Sequence, residues 1–329
     1  MSWSKPTISR RVAVVAIGGA LLSACSGDGE SPAQPSPQPS AEPAGSPPAT
    51  TLPKTAPYAV VRAEVEPGCK EAAVQAVTAA LTWQPGEQAR ALPDRLIRAG
   101  AMPSLASDLD GLVDDHLASS LEIVYPQYGG LSNGRQDASV ILVVRQTWRT
   151  VAGAELRARD LTLDVRLRKN GRRWTAERAA VPTLPRAAAR LDVDTQRLLR
   201  KDALVLPTAA RADLAAGIID ERIVRLLGAL SQKWRIHVQV LKSGHPKNVY
   251  GTTRVSNHTR GRAVDVWAID DVPVIEQRES VWSAVMREAA RVGADEIGGP
   301  ADLDRRAGQP PYFTDDVHQD HLHMGFEDP

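Results

Sequence analysis

Two short alternating segments near the end of the chain constrain its fold more than anything else in it: Ala263-Val-Asp265-Val-Trp267-Ala-Ile269 and His321-Leu-His323-Met-Gly-Phe326. Period-2 alternation marks strands, so Ala263, Asp265 and Trp267 share one face of the first, and His321 and His323 share one face of the second. Two imidazoles on one face of a short strand are poor core material unless they are liganded or hydrogen-bonded. Any fold adopted by this chain must therefore bring them partners. Upstream, Ser256-Asn-His258-Thr-Arg-Gly261-Arg reads as a loop that swings His258 in, with Gly261 letting the turn approach closely. Together the segments hold enough imidazole and carboxylate for a zinc site. Three protein ligands with an open fourth position are what a catalytic zinc needs.

At these residues the chain resembles the zinc peptidase superfamily of lysostaphin, D-alanyl-D-alanine metallopeptidases and hedgehog proteins, whose signature is SxHxxGxAxD followed by HxH. Ser256, His258, Gly261, Ala263 and Asp265 match the first element, and His321 and His323 match the second. The resemblance spans roughly residues 207–326 and is closest to the D-alanyl-D-alanine carboxypeptidase branch. It implies one zinc per chain held by His258, Asp265 and His323, with His321 beside the metal to stabilise an oxyanion. It assigns the general base to Asp320, three residues before the last ligand, where glutamate is commoner. Zinc-activated water would then cleave peptidoglycan stem peptides, as a D,D-carboxypeptidase or an endopeptidase. The alternative is a non-catalytic zinc-containing lipoprotein that binds peptidoglycan or docks a partner, because hedgehog-type members keep the site without the reaction.

Further candidates for substrate contact are Ser256, Arg260, Lys242, His245 and His318. A carboxypeptidase needs a cation for the substrate carboxylate, and Lys242, Arg254, Arg260 and Arg262 all lie near the motif. His245 and His318 fit either a cleft lining or ordinary loop positions. His116 and His237 read as structural.

The beginning of the chain sets the expected compartment. Lys5, Arg10 and Arg11, an apolar run from Val12 to Leu22 and the lipobox Leu22-Ser-Ala-Cys25 look like a bacterial lipoprotein signal over residues 1–24. Cys25 would carry the lipid, tethering the protein to the outer face of the cytoplasmic membrane. Residues 25–56, rich in Pro, Ser and Ala, read as a semi-stiff tether unable to bury a core. Only Cys69 remains besides Cys25, so no disulfide framework can form within the mature chain. A net charge of +1 with interspersed acids and bases argues against a nucleic-acid partner.

The remainder is too long for one ordinary core, so the expected organisation is α+β in two domains. Residues 57–185 read as a helix near 70–81 followed by antiparallel strands, with Asn170-Gly171 as a hairpin turn. This looks like a cystatin-like, nuclear-transport-factor-like cone, a spacer or interaction domain whose protein partner the sequence does not name. Residues 186–206 read as a helical linker. Residues 207–329 read as the zinc peptidase-like domain, with helices near 209–216, 220–230 and 278–292 and a strand at Ile236–Val240 on an antiparallel sheet.

Overall fold

The computed structural model describes residues 51–87, 91–113, 117–150, 155–306 and 309–327. The signal segment, Cys25, most of the tether and His116 lie outside the described residues. Helix α1 (Pro67–Leu81) begins on Pro67, where a missing N–H is harmless, and buries Cys69, Ala73, Val77 and Ala80. Short helices α2 (Leu92–Arg98) and α3 (Leu105–Leu109) follow. Four strands then form an antiparallel sheet in chain order: β1 (Ala118–Ser132), β2 (Asp137–Arg149), β3 (Arg157–Asn170) and β4 (Arg173–Ala180). One face of this sheet, including Tyr128, Val140, Leu142, Leu163 and Val165, packs with the α1 residues in a single apolar core.

Strand β1 escapes a reading from alternation. Pro126 and Gly129-Gly130 are strand breakers by habit. The strand keeps Pro126 paired with Leu142 and carries irregularities between Ile123 and Tyr125 and between Tyr128 and Gly130, the second at the glycines.

The stretch expected to be a helical linker is helical only over α4 (Val193–Leu199), which starts where the Asp192 carboxylate accepts from the backbone N–H groups of Asp194 and Thr195. Then come β5 (Leu204–Val205), α5 (Thr208–Ala215), α6 (Glu221–Leu230), β6 (Ile236–Val240), β7 (Ala263–Ile269), β8 (Val272–Pro273), α7 (Glu279–Val292), β9 (Glu296–Gly298), β10 (Tyr312–Phe313) and β11 (Leu322–Gly325). Asp220 caps α6 by accepting from the Arg222 N–H, and α7 ends on Gly293 in the left-handed region. The second sheet runs β10-β9-β11-β7-β6-β5, with β8 hydrogen-bonded to β7.

The second sheet has two unlike faces. Val238, Val264, Val266, Leu322 and Met324 join Leu226, Leu227 and Leu230 of α6 and Val285, Met286 and Ala289 of α7 in a second apolar core. The other face turns toward the first sheet. Tyr125 stacks on Trp267 with ring centroids 4.7 Å apart. Gln239 Nε2 donates to the carbonyls of Tyr125 and Ile141 at 3.2 and 2.7 Å, and Gln127 Nε2 donates to Asp265 Oδ2 at 2.7 Å. The two sheets thus face each other across a buried polar seam, with an apolar core on the outer side of each. The described residues from 51 onward cluster as one compact unit of mixed α+β structure.

Candidate metal centre

His258 sits in the tight turn that leads into β7. Its backbone N–H reaches Ser256 Oγ at 3.2 Å, its carbonyl accepts from Gly261, and the Asn257 carbonyl accepts from Arg262. Gly261 has φ +73, and a Cβ there would lie 2.3 Å from the Ile218 carbonyl oxygen, so glycine is required twice over. Asp265 lies on β7 and His323 directly opposite it on β11. Facing positions on paired strands bring side chains together without help from any loop.

The three side chains converge. His258 Nε2 lies 3.1 Å from Asp265 Oδ1 and 3.2 Å from His323 Nδ1, and the last two are 3.0 Å apart. Their outer atoms reveal which lone pairs face inward. His258 Nδ1 contacts the Leu241 carbonyl at 2.5 Å, and a carbonyl can only accept, so Nδ1 carries the proton and Nε2 is bare. His323 Nε2 contacts Glu296 Oε2 at 3.3 Å, and Asn257 Nδ2 donates to the same oxygen at 2.6 Å. Although burial opposes ionisation of Glu296, His323, Asn257 and Arg254 hold its carboxyl well below the usual range, so His323 Nε2 donates to it and Nδ1 faces Asp265.

Three acceptors aimed at one another within hydrogen-bond distance repel unless a positive charge sits among them. Burial disfavours a charged His323, yet the hydrogen bonds and charges of Asp265 and Glu296 outweigh it and push its pKa up to about 10. Burial opposes ionisation of Asp265, but the charges of His258 and His321 and the hydrogen bonds of His258 and His323 hold its carboxyl well below its ordinary value. A proton on His323 supplies that charge, and a metal ion taking the place of the proton would serve the same end. A tetrahedral ion with bonds of about 2.0–2.1 Å needs donors about 3.3 Å apart, close to what is found.

His245 adds a fourth nitrogen. His245, His258 and Asp265 each offer a ligand atom within 4.8 Å of the others, so this group could hold a metal ion. The His245 ring, however, lies nearly parallel to that of His258, with centroids 3.9 Å apart and planes at 13°. An imidazole lone pair lies in its ring plane, so two stacked rings cannot both aim one at the same ion. His323 meets His258 at 62° and is free of that conflict.

His321 stands next to the donors, with Nε2 3.8 Å from Asp265 Oδ2. Its Nδ1 meets Asp320 Oδ1 at 2.6 Å. Asp320, expected to act directly on water, is placed behind His321 and does not line the cavity. Its Oδ2 accepts from Lys70 Nζ at 2.5 Å and from the Tyr128 backbone N–H at 3.0 Å, so both oxygens are committed. Burial pushes this carboxyl up, but Lys70 and His321 outweigh it and keep it below its ordinary value. The geometry makes Asp320 the group that orients His321.

The donors open into a cavity of about 240 Å³ between the two sheets, with Tyr128 to Leu131 of β1 on one side and His258, Asp265, His321 and His323 on the other. Among the residues expected to contact substrate, Ser256, His245 and His318 line it, whereas Arg260 and Lys242 do not. Of the cations near the motif only Arg254 does; it is 57% exposed and pairs at 3.4 Å with both Glu296 and Glu327. His318 is tied to Asp315, Nδ1 to Oδ1 at 2.7 Å. His237 lies on the seam away from the donors, bonded to Asp271.

The sequence reading missed Glu296, Lys70 and Gln127. Glu296 is one acid in a three-residue strand, and Lys70 and Gln127 belong to the other half of the chain, so no spacing linked them to the motif. No protein-family model matches the chain, and no curated protein matches it. Among the described residues no helix is long and apolar enough to cross a membrane.

Proposed function

We propose that this protein is a zinc-dependent peptidase acting on bacterial cell-wall peptides, of D,D-carboxypeptidase or endopeptidase type. The observation that carries the reading is the triangle of His258 Nε2, Asp265 Oδ1 and His323 Nδ1, open to a cavity with His321 on its edge. These three residues would hold the metal. Zinc bound there would lower the pKa of a water and polarise a scissile carbonyl.

The chain's own residues supply the rest. Asp320 accepts from His321 Nδ1, which leaves Nε2 bare toward the cavity. His321 therefore takes the proton of the attacking water and returns it to the leaving amine, a role tied by motif position to Asp320 but matched by geometry to its neighbour. Glu296 fixes the tautomer of His323, and the Leu241 carbonyl fixes that of His258. Arg254 is the cation at the cavity suited to a substrate carboxylate. The resemblance to the zinc peptidases supplies the substrate class, the zinc and the peptidase-like fold of the second half. The first half is read as a cystatin-like cone, and the lipobox as an anchor that presents the site to the wall.

One observation favours a second reading. His245 lies close enough to the donors that a ring rotation would offer a fourth ligand and close the site, as in a non-catalytic zinc protein that binds peptidoglycan. Incubating the zinc-loaded chain with purified peptidoglycan and weighing the products by mass spectrometry separates the two. Released D-alanine or shortened stem peptides support the peptidase, and intact peptidoglycan retained on the protein supports the closed site.

A further inference from the structure

The half of the chain outside the motif reaches into the site through buried polar groups. Lys70 of α1 is fully buried, with Nζ 2.6 Å from Glu64 Oε1 and 2.5 Å from Asp320 Oδ2, and its ammonium lies 5.2 and 4.3 Å from the ring centroids of Tyr125 and Tyr128. Gln127 of β1 is equally buried and donates to Asp265 Oδ2. A buried lysine among carboxylates is a costly way to fill space, since well-packed apolar side chains commonly do as well or better. The network ends on the two side chains the proposed reaction needs aimed most carefully.

We propose that Lys70 and Gln127 are positioning residues of the metal site: Lys70 fixes Asp320 and through it the tautomer of His321, and Gln127 fixes the rotation of Asp265. Lys70 and the Tyr128 N–H occupy Asp320 Oδ2, so Oδ1 is left to accept from His321 Nδ1. Without Lys70, Oδ2 would keep only the Tyr128 N–H, and the carboxylate would be free to rotate away from His321 Nδ1. Gln127 works on the other ligand face. A carboxylate only accepts, so the amide N–H faces Asp265, holds Oδ2 and leaves Oδ1 for the donor triangle. Together the two assignments make α1 and the first sheet a working wall of the centre.

The consequence for hydrolysis rests on the function proposed above; the consequences for tautomer and metal affinity do not. The test uses the full-length chain loaded with zinc, in wild type, Lys70→Met and Gln127→Met. Zinc affinity is read by competition with a chromophoric chelator. The His321 tautomer is read from imidazole ¹⁵N shifts, assigned with His321→Gln. Hydrolysis of purified peptidoglycan gives kcat and KM. Wild type should show His321 protonated at Nδ1. Lys70→Met should lose that signature and about 10–100-fold in kcat, with KM and zinc affinity little changed. Gln127→Met should keep the signature and lose about 10–100-fold in zinc affinity. If Lys70→Met does not fold, adding Glu64→Gln removes one of the two carboxylates it strands, and the tautomer is read in that double variant. A folded Lys70 variant with the wild-type tautomer, or a Gln127 variant with wild-type zinc affinity, overturns the corresponding assignment. If wild type hydrolyses nothing while tautomer and affinity shift as stated, positioning stands and the peptidase reading fails.

Discussion

The two faces of the seven-stranded sheet are made by the same strands and spend their burial differently. On the helix side, Val264, Val266, Leu322 and Met324 are fully buried against α6 and α7, and side chains of this kind each contribute about 1.5–3 kcal/mol by leaving water. One residue along, Asp265, His321 and His323 are 2%, 2% and 8% exposed, almost as deep, but burial works against them unless every polar atom is matched. On the first face the strands gain stability; on the second they hold lone pairs against one another. Such an arrangement contributes little to folding, and it is on this face that the function is proposed to reside.

The largest effect that would sharpen this contrast comes from His321. His321→Gln keeps a polar side chain of similar reach but removes the ring proposed to accept the proton, so kcat should fall by about 10²–10⁴-fold. Zinc content and melting temperature should stay near wild type. A variant that loses its zinc in parallel would make His321 a ligand and erase the distinction between the donors and their neighbour.

One residue on, the opposite outcome is expected. Leu322→Ala opens a hole beside the α7 helix and should cost about 2–5 kcal/mol in urea or thermal unfolding. The folded fraction should keep one zinc per chain. Loss of zinc from folded Leu322→Ala would show that the two faces are not separable.

The smallest effect probes the seam. Burial and the nearby Asp320 push the Glu64 carboxyl up to about 7, although Lys70 pulls the other way. A carboxyl with a raised folded pKa binds its proton more tightly in the native state, so its contribution is full below the unfolded value near 4.5 and is lost as pH rises through 7. The stability of wild type should therefore decline between about pH 5 and 7.5, relative to Glu64→Gln, by on the order of 1–3 kcal/mol. Unfolding curves of the two proteins across that range check it. Parallel pH profiles would mean that Glu64 titrates as it does in the unfolded chain.

How much could be read in advance follows the same division. Strands β7 and β11 were legible because alternation and the spacing of His and Asp coincide in a few residues. Helices α6 and α7 were legible from local patterns as well. Strand β1 was not, because Pro126 and Gly129-Gly130 disguise a strand that survives by bulging. That strand carries Gln127 and the Tyr128 N–H to the site, so missing it hid the first sheet's part in the centre. Asp320 was recognisable as important from its place in the motif. Its orientation depends on Lys70, 250 residues away in sequence, which no local pattern reports. Glu296 was hidden likewise, since it becomes meaningful only once β9 lies beside β11.

The seam face of β7 and β11, with His258 from the preceding turn, is proposed as a zinc site. Metal analysis of the purified chain after zinc loading and removal of free metal tests it most directly, with His258→Ala alongside. The expected result is one zinc per wild-type chain and little in the variant. A wild type that holds almost none, or a His258→Ala that holds as much as wild type, would contradict it.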